Sequence, residues 1–289
     1  MNQGMHEGRG VNLNATSVGV SHYENFPVAS FLCPPALRPA IAAIYWFART
    51  ADDLADEGDA PPQTRQDDLA AYRADLMACA SGQPVSERWA GVFGRLQNII
   101  TQFDLPVHLL ADLLSAFEQD VVKVRYASQA ELLDYCRLSA NPVGRLLLHL
   151  YGVQDAVSLQ QSDCICTALQ LINFWQDLSV DIPRGRIYLA ADGFLKHGAD
   201  EAQLLALQVN PATTALIASN LAWAKTLMVR GAPLVKKVPG RAGWELRLVV
   251  QGGLRIAEKI EQIGFKTLQQ RPKLKSWDLI VTAWRAIRM

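Results

Sequence analysis

The chain has 289 residues, half of them apolar, and its 28 lysines and arginines are balanced by 28 aspartates and glutamates. A neutral chain with no basic stretch carrying interleaved aromatics offers no footprint for nucleic acid. Charged residues make up 19% of the chain, below the roughly 25% usual for soluble domains, so much of it must be buried or enclose something apolar.

Residues 1–18, rich in glycine and asparagine, lack the apolar stretch of a signal peptide and are read as a flexible leader before one helical domain over 19–289. Pro34-Pro35 opens a helical segment reaching about Glu57 and closed by Gly58. Apolar residues then recur at three- and four-residue spacing, predicting helices over 63–81, 86–102, 106–125, 128–151, 158–181, 200–208, 211–235, 241–270 and 274–288. Only Gly185 to Leu189 reads as extended. The expected fold class is all-α, a single-domain helical bundle. Cysteines 33, 79, 136, 164 and 166 lack metal-site spacing and read as reduced thiols. No run of about 18 apolar residues could span a membrane, so the expected location is the cytoplasm, with a peripheral membrane contact left open.

Two helices stand out. Ile41 to Phe47 is apolar on every side and then presents Arg49, Asp52, Asp53, Asp56 and Glu57. Thr167 to Trp175, apolar apart from Gln170 and Asn173, gives way to Gln176, Asp177 and Asp181. A helix apolar all round is buried, and ionised carboxylates at its end are costly unless paired or metal-bound. Asp52 and Asp56 share one helical face, with Asp53 on an adjacent stripe. Asn173, Asp177 and Asp181 fall at i, i+4 and i+8, and Gln170 extends that line. Magnesium suits such sites: it takes oxygen ligands and bridges one or two carboxylates to substrate phosphates. Asp52, Asp56, Asn173, Asp177 and Asp181 are the candidate ligands. A solvated acidic helix end would also account for the first motif, and an amphipathic surface helix for the second.

Arg49 lies one turn before Asp52, and Arg184 and Arg186 sit in the glycine-containing loop Pro183 to Tyr188. Arginine grips phosphate oxygens through its planar fork, so these three, with Tyr188, are candidates for holding a diphosphate. Pro142 and Gly144 should kink the helix at Asn141 and place its amide in the interior, although a plain bend fits equally. His22, Tyr23 and Phe26 are candidates for a pocket mouth. Glu245 and Arg247 read as surface charges.

These residues together resemble the squalene/phytoene synthase family. The resemblance is carried by Asp52 to Asp56 after Arg49, and by Gln170 to Asp181 followed by Arg184 to Leu189, and it covers about residues 20 to 280. It implies a helical barrel around an apolar cavity, magnesium held by the two aspartate motifs, and a prenyl diphosphate substrate. The stretches His22 to Ser30 and Ser139 to Gly144 resemble the bacterial branch that forms hydroxysqualene. That branch implies ionisation of presqualene diphosphate and a water quench, with partner enzymes that make presqualene diphosphate and reduce hydroxysqualene. Phe26, Tyr45 or Trp175 would then face the carbocation, and Asn141, Asn173 or Gln170 would place the water. Ala48 departs from the family pattern, where many members have cysteine. Synthases of presqualene diphosphate, squalene or phytoene are the nearest alternatives, and a non-catalytic assembly protein on the same fold is an alternative of another class. No G-x-G-x-x-G follows a strand, so NADPH is not expected.

Overall fold

A computed structural model describes residues 33–289 of the chain. After a 3-10 turn over Pro35–Leu37, α1 runs Arg38–Asp56 and is followed by α2 (Pro62–Ala80), α3 (Ala90–Phe103) and α4 (Val107–Val122). Next come α5 (Gln129–Ser139), α6 (Asn141–Leu150), α7 (Ala156–Gln176), α8 (Leu178–Asp181), α9 (Ala191–His197) and α10 (Glu201–Leu205). The long helices α11 (Pro211–Gly231) and α12 (Gly240–Gln262) precede α13 (Ser276–Ile287). The helical architecture expected from the periodicity is thus present, except that the helix expected over 241–270 stops at Gln262, and with three further differences.

The first is that the helices anticipated over 128–151 and 158–181 are each broken. Pro142, in the first turn of α6, has no N–H to continue a helix from α5, so the break falls at Ala140. The second break falls at Asp177, whose φ of −100° and ψ of 10° leave the helical region. A second difference is that no strand occurs among the described residues. The 185–189 segment instead lies beside residues 124–127, the Ile187 N–H donating to the Val124 carbonyl at 3.1 Å and the Ala191 N–H to that of Tyr126 at 3.0 Å. The third is α9, which the sequence pattern did not mark.

Two hydrophobic clusters divide the interior. In one, α1 to α4 pack around Phe47, Tyr72 and Phe93, all fully buried. Phe47 stacks on Tyr72 at 5.3 Å between ring centroids and meets Phe93 edge-on at 6.1 Å; truncating it to alanine should cost about 3–5 kcal/mol. The other cluster is built by α5 to α12 around Trp175, Leu171, Leu221 and Met228. α11 lies along α7 over its length. At Gly231 an added Cβ would stand 2.6 Å from the Gln161 carbonyl oxygen of α7, so only glycine permits that approach.

The seam between the clusters holds a cavity of about 490 Å³. Its wall draws Ile41, Ile44, Tyr45 and Ala48 from α1, Leu147 and Leu148 from α6, Ile165 and Leu169 from α7, and Leu246 from α12. This explains why α1 reads as apolar on nearly every side. Ala43, Phe47, Ala51 and Ala55 form its core stripe, Ile41, Tyr45 and Ala48 face the cavity, and Trp46 is exposed. No helix among the described residues is long and apolar enough to cross a membrane. All five cysteines are unpaired.

Candidate active site

The last turns of α1 carry the first acidic group to the rim of the cavity, where Arg49 and Asp52 join its lining. Arg49 reaches Asp52 at 3.1 Å, Asp53 at 2.5 Å and Glu57 at 2.6 Å. It neutralises the like charges that would otherwise repel along this face. The Asp52 carboxyl is pushed up to about 6, by burial above all and by Asp56 and Asp53 nearby, with Arg49 and Arg186 pulling the other way.

The second acidic group approaches from the far side. Asp177 caps the end of α7 and is gripped through both oxygens by Arg271, one contact at 3.0 Å. Asp181 follows one turn later, its N–H donating to the Asp177 carbonyl at 2.9 Å. Burial raises the Asp181 carboxyl to about 6, and Asp177 adds to the rise, while Arg186, Arg184 and Arg271 oppose it. Arg186 ties the two groups together: it forms an ion pair with Asp56 across 130 residues of sequence, with one contact at 3.3 Å. Arg184 and Arg186 line a polar recess with Asp56 and Glu57. The loop carrying them stays close because Gly185 takes a φ of +83°, a conformation open to glycine.

Tyr188 is buried, its ring parallel to that of Phe174 with centroids 3.7 Å apart. Burial, and after it Asp120, pushes its phenol above the ordinary range, so it remains a neutral O–H. Tyr45 lines the cavity beside Arg49. The other candidates stand elsewhere. The Asn141 side-chain oxygen accepts a hydrogen bond from the Thr167 hydroxyl at 2.9 Å and so joins α6 to α7. Trp175 is fully buried against Phe174, and Gln170 lies half-buried on α7. The Asn173 carbonyl accepts the Asp177 N–H at 3.0 Å. None of these four is among the residues lining the cavity. His22, Tyr23 and Phe26 lie outside the described residues.

Three polar groups at the site escape sequence reading. Asp120 of α4 accepts a hydrogen bond from the Tyr135 hydroxyl at 2.9 Å. Burial lifts its carboxyl to about 7, with Tyr135 and Arg186 opposing and Asp52 and Asp56 adding to the rise. Arg271 is the second; its place after the long α12 gives no local sign of a partner 94 residues earlier. Glu245 corrects an expectation. Rather than a surface charge, it lines the cavity near Cys33 and Tyr151, because the face of α12 that turns inward is set by α7. Arg247 is half-buried, its guanidinium 4.6 Å from the centre of the Trp244 ring.

The metal-competent donors that converge here among the described residues are hard, anionic oxygens, and the raised carboxyls of Asp52 and Asp181 mark a place where a cation would relieve crowding. Among the described residues, no three acidic, histidine or cysteine groups stand close enough to hold an ion alone. Magnesium that takes one or two carboxylates and completes its shell with phosphate oxygens and water fits such a donor set.

An apolar cavity inside a helical shell, rimmed by carboxylates and arginines, defines the class of isoprenoid synthases, and the comparisons agree. The family model for squalene/phytoene synthase matches residues 20–278. A hydroxysqualene synthase of Rhodopseudomonas palustris is 31% identical, over 91% of this chain and 88% of its own. A phytoene synthase of Thermus thermophilus is also 31% identical, over 89% and 86%. The crystal structure of the squalene synthase HpnC from Alicyclobacillus acidocaldarius superposes with a TM-score of 0.78 at 35% identity, covering 85% of this chain and 90% of that one. The chain belongs to the squalene/phytoene synthase family. It is an enzyme of the prenyltransferase type on the all-α isoprenoid synthase fold.

Proposed function

We propose that the chain is a hydroxysqualene synthase acting on presqualene diphosphate. The observation that carries this reading is that Arg186, in the loop after the second acidic group, is paired with Asp56 at the end of α1, the helix whose Arg49 and Asp52 line an apolar cavity of about 490 Å³. The similarity to the Rhodopseudomonas palustris hydroxysqualene synthase over nine-tenths of the chain supports it. Arg49, Arg184 and Arg186 would hold diphosphate oxygens by charge-assisted hydrogen bonds. Asp52, Asp56, Asp177 and Asp181, with Asn173 one turn before Asp177, would hold magnesium, which supplies Lewis-acid stabilisation of the departing diphosphate.

In the reaction the carbon–oxygen bond to the diphosphate breaks and the leaving group takes the electron pair. The cation left behind rearranges within the apolar wall, which keeps bulk water out. Tyr45, at the rim of that wall, offers an aromatic face to positive charge. A water molecule then forms the new carbon–oxygen bond and gives up a proton, yielding an alcohol with no net oxidation or reduction and therefore no need for NADPH. Asn141 acts from behind the wall, through Thr167, by fixing the approach of α6 to α7.

The test is to incubate the purified enzyme with magnesium, without NADPH, on farnesyl and on presqualene diphosphate in water enriched in heavy oxygen. Mass spectrometry should find labelled hydroxysqualene from presqualene diphosphate. An unlabelled hydrocarbon, or a product retaining its diphosphate, would place the enzyme at another step of this family's chemistry. No diphosphate release from either substrate would favour a non-catalytic role.

A further inference from the structure

Helix α13 is packed inside out. Its inward face is polar: Asp278 is only 2% exposed and forms ion pairs with Arg255 and Lys259 of α12, each at 2.8 Å. Arg285 pairs with Glu258 of the same helix. Its outward face is apolar and aromatic, with Trp277 66%, Leu279 61%, Ile280 60%, Trp284 53% and Ile287 67% exposed. A helix on a globular protein normally turns its apolar stripe to the core and its charges to water. Here the ion pairs with α12 hold the reverse orientation in place. Contiguous exposed apolar surface of this kind marks a contact site.

The charges around the patch say what it contacts. Residues 271–289 hold five cations and one side-chain carboxylate, that of Asp278, which is buried; two of the cations, Arg271 and Arg285, are paired with Asp177 and Glu258. Lys275 and Arg288 are exposed at the two ends of the helix, and the Arg288 guanidinium stacks 3.6 Å from the centre of the Trp284 ring. A second copy docked on this face by two-fold symmetry would bring like-charged rims together. An anionic lipid surface would match both features, since tryptophans settle at the headgroup boundary and lysine and arginine reach the phosphates.

We propose that α13 is a membrane-docking helix, seating its Trp277–Ile280–Trp284 face in the headgroup region of an anionic bilayer. The surface is independent of the reaction proposed above. It would hold the enzyme on the lipid phase.

The full-length protein should float with equimolar phosphatidylcholine–phosphatidylglycerol vesicles and far less with phosphatidylcholine alone. Trp277→Ser with Trp284→Ser should lower the bound fraction about tenfold or more, while circular dichroism and turnover in detergent stay unchanged. Lys275→Glu with Arg288→Glu, which leaves the apolar face intact, should remove the preference for anionic vesicles. Wild-type protein that stays with the soluble fraction, or flotation insensitive to both pairs of substitutions, would overturn the assignment. So would a lipid-independent dimer in sedimentation that the tryptophan substitutions dissolve, since the face would then belong to a second copy.

Discussion

Arg186 and Asp56 form an ion pair that joins the loop after α8 to the end of α1, with one contact at 3.3 Å. The bond ties the loop that follows the second acidic group to the end of α1, and on the proposed function the same guanidinium would take a diphosphate oxygen. Arg186→Ala should therefore lower kcat/KM by about 1.5–3 kcal/mol, roughly tenfold to more than a hundredfold. Steady-state kinetics with a helicity check would decide, and unchanged kinetics would return the loop to a structural role.

The two aspartate groups should respond differently to neutralisation. Asp52→Asn and Asp177→Asn should each abolish turnover while preserving the helical fold. Asp52 is 46% exposed and crowded by like charge, so its loss should leave stability level or slightly raised. Asp177 is 14% exposed and held by Arg271. Breaking that pair strands a guanidinium and should cost about 1–3 kcal/mol. Urea unfolding of the two variants would separate these effects.

Asp120 predicts a pH signature. Its carboxyl stands at about 7 against an ordinary 3.8, so between those values the folded chain holds a proton that the unfolded chain releases. Stability therefore falls as pH rises through this window. Asp120→Asn removes the penalty, and should stabilise the protein at pH about 8 by on the order of 1–2 kcal/mol after allowance for partial exposure. The gain should vanish near pH about 4. Thermal unfolding with a chelator present across that range would test it, and a gain independent of pH would refute the mechanism.

Gly231→Ala should cost about 1–3 kcal/mol, because its Cβ would press on the Gln161 carbonyl oxygen and the Ile165 N, at 2.6 and 2.9 Å. As α11 backs the helix that ends in Asp177, activity should fall along with stability. A variant with wild-type unfolding and turnover would show that the two helices separate freely.

What the sequence made legible was local. Asp52 and Asp56 were readable because four-residue spacing within an apolar helix fixes a shared face. The same rule carried Asn173, Asp177 and Asp181 onto one stripe, but spacing is blind to where a helix stops, and α7 ends at Asp177. Asn141 was correctly expected in the interior, yet its oxygen is taken by Thr167, a partner on another helix. Asp120, Arg271 and Glu245 stayed hidden for the same reason: each acquires its role from groups far away in the chain. In α13 the amphipathic pattern was visible, but periodicity gives a face without saying whether it points inward.

The arginines at the rim carry a consequence for selectivity. Arg49, Arg186 and Arg271 each already have a carboxylate partner, so an anion reaching these three must exchange for that partner, whereas exposed Arg184 beside them can receive it first. A singly charged carboxylate or sulfonate trades one ion pair for its equal and gains little. A diphosphate brings more charge and several oxygens to the same arginines, and the carboxylates it displaces are freed to gather cations around it. On the proposed function, the rim would thus select its ligand by charge density.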